Sequence, residues 1–114
     1  MEYLLNIFNL LKDETTLRII MLLNKKDLCV CQLVEITGVS QPNISKKLAN
    51  LRKASLVESK KESLYTFYSL SSSDEILINI IRLIGDKVEK YPTIKKDLIK
   101  IKGAEAFLEA GKCS

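Results

Sequence analysis

The residues best suited to chemistry are two cysteines separated by a single residue, Cys29 and Cys31. Thiolates are soft, ionisable ligands, so a close pair can hold a thiophilic ion or take part in redox chemistry. A third cysteine, Cys113, lies near the C-terminus, and the chain contains no histidine. An odd number of cysteines with no export signal indicates a reducing compartment, where structural disulfides are rare. The alternative is that the thiols are buried and inert.

The two thiols lie a few residues before the turn of a pattern that is typical of a helix-turn-helix. Residues 30–37 are predicted to form a short third helix that ends at Gly38, because glycine readily takes the left-handed conformation of a helix stop. Ser40 is a suitable N-cap and Pro42 fits the first turn of a fourth helix. The apolar stripe of this fourth helix consists of Ile44, Leu48 and Leu51.

The opposite face of the fourth helix is polar and basic, which suits base edges and phosphates in a major groove. Residues 40–64 contain six Lys or Arg and two acidic residues, whereas the remaining 89 residues contain twelve of each sign. All the excess positive charge therefore lies in this segment, as expected of a DNA binder, although a solvated basic surface is the alternative. The expected DNA contacts are Ser40, Gln41, Asn43, Ser45, Lys46 and Lys47, with Lys60 and Lys61 on the flanking backbone.

The remaining elements complete a winged helix-turn-helix fold, mainly α with a small β-hairpin. Apolar periodicity predicts two packing helices before a polar connection at residues 24–27. Residues 56–70 are β-prone and predict a hairpin whose tip is at residues 60–63. Residues 71–73, all serine, are expected to cap a fifth helix from about Asp74 to Lys90. Residues 1–91 thus form the DNA-binding and dimerisation domain, and residues 92–114 a helical tail carrying Cys113.

The first and fifth helices carry more apolar surface than a domain of this size can bury alone. We therefore expect a homodimer that pairs through these two helices. Two-fold symmetry then predicts that the double-stranded DNA partner is an operator with an inverted repeat.

Composition excludes several other classes of protein. A chain of 114 residues with 46% hydrophobic and 28% charged residues is typical of one globular domain. No apolar run approaches the roughly 20 residues that a membrane-spanning helix needs, so we expect no membrane partner and a cytoplasmic location. The chain has no Gly-rich phosphate loop and no recognisable nucleophile–base set, so an enzyme is not expected.

Two stretches resemble the ArsR/SmtB family of dimeric winged-helix metalloregulatory repressors. Residues 27–33, Asp-Leu-Cys-Val-Cys-Gln-Leu, are similar to the Glu-Leu-Cys-Val-Cys-Asp-Leu box of arsenic- and cadmium-responsive members. Residues 39–48 are similar to the Ser-Gln-Pro-x-x-Ser-x-His-Leu recognition segment, with Lys46 and Lys47 where many members have histidines. The resemblance implies a homodimer that sits on an operator and leaves it when a metal or metalloid binds.

The resemblance also indicates where a third ligand must be sought. Val34 occupies the place of a third cysteine found in one subgroup of arsenic sensors, and other members use cysteines near the C-terminus, so Cys113 is the expected third ligand. Three thiolates suit As(III) or Sb(III), whereas Zn(II) and Cd(II) usually take a fourth ligand. As(III) or Sb(III) is the expected inducer, and Cd(II), Pb(II) or Zn(II) is the alternative.

The geometry of a helix sets a condition on this site. Residues two apart on an ideal helix point about 200° from each other, so Cys29 and Cys31 can face one ion only where the chain is not yet helical. Two other interpretations need no ion. One is a thiol switch that responds to oxidants or reactive sulfur species, and the other is a winged-helix regulator with no ligand.

Overall fold

The computed structural model describes residues 1–71 and 74–104. These residues form six α-helices and a three-stranded antiparallel sheet, which confirms the predicted winged helix-turn-helix architecture. The helices are α1 (Glu2–Leu11), α2 (Glu14–Lys25), α3 (Val30–Thr37), α4 (Gln41–Lys53), α5 (Glu75–Asp86) and α6 (Pro92–Lys100). The strands are β1 (Leu28–Cys29), β2 (Val57–Glu62) and β3 (Tyr65–Leu70).

Helix α2 runs through the middle of the core. Asp13 caps its N-terminus through the Thr16 backbone, and Ile19, Ile20 and Leu22 are fully buried. Helices α1, α4, α5 and α6 all pack against α2, which explains why its buried residues are not confined to one stripe. Of the two helices of the helix-turn-helix, α4 thus packs directly on the central helix.

A short strand, β1, was not predicted from the sequence. The expected polar connection at residues 24–27 was wrong in extent, because α2 continues through Lys25 and β1 begins at Leu28. Leu28 pairs with Tyr68 and Cys29 pairs with Phe67, which places β1 at the edge of the sheet in the order β1-β3-β2. Leu28 is fully buried, so core packing holds this strand in place.

The hairpin turn lies further along the chain than predicted. Lys60 and Lys61 belong to β2, where they pair with Phe67 and Thr66. The turn itself is formed by Ser63, in a left-handed conformation with φ of 58°, and the exposed Leu64. The predicted tip at residues 60–63 is therefore corrected to Ser63 and Leu64.

Helix α5 is shorter than predicted and has a different cap. The carboxylate of Asp74, rather than a serine, accepts hydrogen bonds from the backbone N–H groups of Ile76 and Leu77. Ser72 and Ser73 lie outside the described residues. The helix ends at Asp86, and residues Val88–Lys90 form a separate 3-10 turn.

Apolar side chains remain exposed on α1 and α5. Phe8 is 49% exposed and Leu83 is 59% exposed, although both helices bury other residues in the core. The exposed set is Tyr3, Leu5 and Phe8 on α1 and Ile76 and Leu83 on α5. These two helices are the ones from which the sequence predicts a dimer.

Helix α6, predicted as the start of a helical tail, is held against α2 and α3. Both carboxylate oxygens of the buried Asp97 accept hydrogen bonds from Arg18 of α2, at 2.7 and 2.9 Å. Arg18 also donates to the Thr37 carbonyl at 3.0 Å, and Lys100 donates to the Ile36 carbonyl at 3.3 Å. Residues 105–114, which include Cys113, lie outside the described part of the chain. Within that part, no helix is both long and apolar enough to cross a membrane.

Candidate functional site

The two sulfur atoms of the cysteine pair meet where β1 passes into α3. Cys29 is a free thiol, whereas the sulfur of Cys31 is part of a disulfide. Cys29 is the N-cap of α3, with an extended backbone (φ −93°, ψ 170°), and Cys31 is the second residue of the helix. Their sulfur atoms lie 3.0 Å apart. The condition derived from helix geometry is therefore met, because Cys29 is outside the helix and its side chain turns toward Cys31.

This sulfur separation is close to the one that a shared ion requires. Two thiolates about 2.3 Å from one ion lie roughly 3.3 Å apart at a right angle and roughly 3.8 Å apart at the tetrahedral angle. The observed 3.0 Å needs an outward movement of less than 1 Å to reach either value. Once the Cys31 disulfide is reduced, the spacing of the two sulfurs is compatible with two ligands of one thiophilic ion.

The cysteine pair forms part of one wall of an open cleft of about 640 Å³. The β2–β3 hairpin supplies the opposite wall, and Gln41 at the start of α4 lies at the rim. Cys29 is 3% exposed, whereas Cys31 is half-buried. The side chains that the cleft brings together include Cys29, Cys31, Val34, Leu64, Tyr65 and Tyr68. A ligand bound by the thiols would thus lie between the sheet and the predicted DNA-reading helix.

The source of a third ligand lies outside the described residues. Across residues 1–71 and 74–104 no cluster of three or more His, Cys, Asp or Glu side chains is placed to hold an ion. Cys113, the third predicted ligand, belongs to the undescribed C-terminal residues. The described chain thus assembles two of the three predicted ligands.

The predicted DNA-contacting residues of α4 form an exposed face. Ser40, Gln41, Asn43, Ser45 and Lys46 are all exposed, because Ile44, Leu48 and Leu51 turn the other side of the helix into the core. Ser40 occupies the predicted N-cap position, but its hydroxyl makes no capping hydrogen bond to the described first turn of α4.

Lys47 differs from its neighbours on α4. Its ammonium group donates to Asp13 Oδ1 at 3.2 Å, and its side chain is only 21% exposed. Lys47 therefore attaches α4 to the N-terminus of α2, and its predicted contact with DNA competes with this ion pair.

The two lysines of β2 point to opposite faces of the hairpin, because side chains alternate along a strand. Lys60 shares its face with Glu58 and Glu62, and its ammonium group is 3.8 Å from the Glu62 carboxylate. Lys61 shares the other face with Ser59 and makes no ion pair among the described residues. The positive charge of Lys61 is thus the less compensated of the two.

The carboxylate of Asp13 stabilises both α2 and the attachment of α4. A hydrogen bond from the Thr16 backbone N–H is the main cause that lowers the pKa of Asp13, burial opposes it, and the Thr16 hydroxyl and Lys47 lower it further. A lowered pKa means that the folded state favours the ionised carboxylate. The resulting stabilisation is present above pH 3.8 and is lost as the pH falls through the lowered pKa of the folded state.

Replacing Asp13 with Asn should make stability less dependent on pH between pH 7 and pH 3. Asn remains a good N-cap but carries no charge for Lys47, so the variant should be less stable than wild type at pH 7 by up to about 1 kcal/mol. The difference should shrink below pH 4, as wild-type Asp13 is protonated. Urea unfolding at a series of pH values measures this difference, and one that grows toward acid would contradict the assigned role.

Sequence reasoning missed several residues that organise this region. Gln32 accepts a hydrogen bond from the Cys29 N–H, and Arg18 links α2 to both α3 and α6. The spacing of Cys29 and Gln32, an N-cap and its third helical residue, is that of a capping box and was a usable signal. Nothing local in the sequence connects Arg18 with Asp97, which are 79 residues apart.

The order of helices, the hairpin and the exposed polar face of α4 define a winged helix-turn-helix regulator. Residues 13–59 match the model of the family described as bacterial regulatory protein, arsR family. An HTH-type transcriptional regulator of Methanocaldococcus jannaschii is 35% identical over 81 residues, which is 70% of this chain and 89% of that protein. The chain belongs to the ArsR family. Because this is a family of regulatory proteins, the expectation that the chain is not an enzyme is confirmed.

Two further relatives are informative. The arsenical resistance operon repressor of Escherichia coli is 43% identical over 74 residues, 62% of this chain and 63% of the repressor. The match therefore spans less than two thirds of that protein. The solved structure of reduced HlyU from Vibrio cholerae has a TM-score of 0.67 and 30% identity, with 73% of this chain and 85% of that chain covered.

Proposed function

We propose that the chain is a homodimeric repressor that binds operator DNA and releases it when As(III) or Sb(III) is bound by Cys29, Cys31 and Cys113. The observation that carries the proposal is the 3.0 Å separation of the Cys29 and Cys31 sulfurs at the start of α3, the first helix of the helix-turn-helix. The similar Escherichia coli protein is an arsenical resistance operon repressor, which supports a metalloid ligand. A repressor acts where the DNA is, so we place the protein in the cytoplasm.

Dimerisation follows from the exposed apolar residues of α1 and α5. Residues such as Phe8 and Leu83 are about half exposed in the single chain, and pairing with a second copy would remove them from water. Each α4 would then enter one major groove, with Gln41, Asn43 and Ser45 toward bases and Lys46 toward phosphate or guanine. Two-fold symmetry of the dimer calls for an inverted repeat in the operator.

Ligation of both thiols gives a physical route to DNA release. Cys29 belongs to β1, which is paired with β3 of the hairpin, whereas Cys31 belongs to α3, which packs on α4. Moving the sulfurs apart to the spacing of a shared ion would shift β1 against α3, and so the hairpin against α4. The two DNA-contacting elements would then no longer fit one duplex. An allosteric coupling of about 1–3 kcal/mol would weaken operator binding about 5- to 150-fold.

Fluorescence anisotropy with a duplex selected from random sequences by the reduced protein tests this function. Arsenite should weaken binding about 5- to 150-fold in wild type and have no effect on Cys29→Ser or Cys31→Ser. Serine is a good N-cap, so Cys29→Ser should keep the start of α3 and bind DNA normally without arsenite. Cys113→Ser should blunt the response if Cys113 is the third ligand. Parallel titrations with Cd(II), Pb(II) and Zn(II) rank the alternative ions.

The second candidate is a thiol redox switch, which the same close pair of sulfurs favours. One similar solved structure is described as reduced HlyU. In this case a mild thiol oxidant such as diamide should release DNA in the absence of arsenite, and a thiol reductant should restore binding. Tight operator binding that responds neither to any ion nor to the oxidant would overturn both candidates and leave a winged-helix regulator without a ligand.

A further inference from the structure

Gln32 joins the cysteine pair to the far end of the described chain. Its side chain is buried, with the residue only 1% exposed, and both halves of its carboxamide are used. Oε1 accepts a hydrogen bond from the Cys29 N–H at 3.0 Å, and Nε2 donates to the Ala104 carbonyl at 2.9 Å. One side chain thus links two backbone positions that are 75 residues apart, since 104 − 29 = 75.

The bond to Cys29 bears directly on the position of its sulfur. The N–H of an N-cap residue has no partner inside its own helix, and Gln32 supplies one from the third helical position. This bond holds Cys29 in the extended conformation, with ψ of 170°, instead of a helical one. Because two helical residues at this spacing would point their side chains apart, the bond favours the close approach of Cys29 to Cys31.

The bond to Ala104 fixes which end of the carboxamide faces Cys29. A carbonyl only accepts hydrogen bonds, so Ala104 selects the NH₂ group of Gln32 and leaves Oε1 for Cys29. Ala104 is fully buried at the end of the segment that includes α6. Lys100 of the same helix donates to the Ile36 carbonyl of α3. The geometry of the cysteine pair therefore depends on how this C-terminal segment is docked.

We propose that Gln32 is a positioning residue of the cysteine pair and couples binding of a thiophilic ion to docking of residues 98–104. This inference rests on the proposed function, because it concerns the same thiols. Partners that orient a ligand without touching the ion typically change metal affinity by about 10- to 100-fold when they are replaced. By reciprocity, an ion bound to the thiols should strengthen docking of the segment.

Arsenite affinity of the reduced, full-length protein without DNA provides the first test. Gln32→Leu replaces the carboxamide with an apolar side chain of similar size and so removes both hydrogen bonds. Its arsenite dissociation constant, measured from the ultraviolet absorbance of arsenic–thiolate bonds, should be about 10- to 100-fold higher than that of wild type. Thr37→Val is the matched control, because it removes polar contacts from the same helix without touching Cys29 or Ala104. Its arsenite affinity should equal that of wild type.

Amide hydrogen exchange of residues 98–104 separates coupling from general destabilisation. To remove any tether through Cys113, both proteins carry Cys113→Ser. Arsenite should slow exchange of this segment in Cys113→Ser and should not slow it in Gln32→Leu/Cys113→Ser at saturating arsenite. A purely structural Gln32 would change the urea unfolding midpoint but leave the arsenite affinity of the folded variant at the wild-type value, and that result would overturn the proposal. Exchange that slows equally in both proteins would also overturn it. Wild-type protein that binds no arsenite would instead overturn the proposed function itself.

Discussion

Replacing Asp97 with Ala is expected to lower the free energy of unfolding by about 3–5 kcal/mol, because it leaves the charge of Arg18 partly buried without its partner. The Asp97 side chain is 3% exposed and that of Arg18 is 16% exposed, so little solvent is available to replace the two lost hydrogen bonds. The loss is a large part of the roughly 5–15 kcal/mol that stabilises a typical domain. Urea unfolding followed by circular dichroism measures it.

A second ion pair near α6 offers a matched control. Glu89 and Lys95 are also paired, but their side chains are 75% and 43% exposed. Glu89→Ala should therefore cost less than about 1 kcal/mol. The double variant Arg18→Met/Asp97→Leu should recover much of the stability lost in Asp97→Ala, because it leaves no uncompensated charge. If Asp97→Ala were as mild as Glu89→Ala, the Arg18–Asp97 pair would not hold α6 in place.

The elements predicted correctly have signals within a few residues of one another. Helix α3 ends where Gly38 takes a φ of 74°, which few other residue types adopt without strain. Helix α4 begins after Ser40, and its stripe of Ile44, Leu48 and Leu51 is buried as predicted. Periodicity and caps depend only on neighbouring residues, so they can be read from the sequence without knowledge of the fold.

The features that were missed depend on contacts between distant segments. Strand β1 is only two residues long and exists because β3, some 40 residues later, supplies its partner. The hairpin turn is at Ser63 and Leu64 and not at the predicted residues 60–63. The pairing register of β2 and β3, not the charge of Lys60 and Lys61, decides where the chain reverses. The N-cap of α5 is Asp74 and not one of the predicted serines, although aspartate and serine are comparable N-caps.

In the candidate site, too, the features set by neighbouring residues were predicted and those set by distant contacts were missed. The close approach of the Cys29 and Cys31 sulfurs follows from their place at a helix start, which the sequence indicated. The hydrogen bond from Gln32 to Ala104 and the pairing of Cys29 with β3 could not be predicted, since both depend on how distant segments pack. Lys47 could not be distinguished from Lys46 by residue type. The difference is that Lys47 lies beside Asp13 in the folded chain and forms an ion pair with it.

These contacts hold α3 at both ends. At its start, Cys29 pairs with β3 and its backbone N–H donates a hydrogen bond to Gln32. At its end, the Thr37 carbonyl accepts a hydrogen bond from Arg18. Because α3 is anchored at its end as well as at its start, the proposed switch requires β1 and the hairpin to move relative to α3 and α4.

Replacing Lys46 and Lys61 together with Ala should flatten the salt dependence of operator binding more than any other pair of lysine substitutions on the DNA-facing elements. Both side chains are exposed, and neither makes an ion pair within the described residues. A dimer would lose four phosphate contacts, so the slope of log K against log salt should become less steep by about 3.6. At 0.1 M salt, affinity should fall by roughly three to four orders of magnitude. Fluorescence anisotropy at a series of salt concentrations measures both quantities.

The variant Lys46→Ala/Lys60→Ala is the matched control. Both variants replace Lys46 of α4 and one lysine of β2, so they remove the same total charge. Lys60 lies between Glu58 and Glu62 on its face of the hairpin, so its charge is already compensated. This variant should flatten the slope by only about 1.8, the share of two Lys46 contacts. Because exposed lysines contribute little to folding, neither variant should lose more than about 0.5 kcal/mol of stability. Equal slopes for the two variants would contradict this assignment: a change of about 1.8 in both would show that neither lysine of β2 contacts a phosphate, and a change of about 3.6 in both would show that both do.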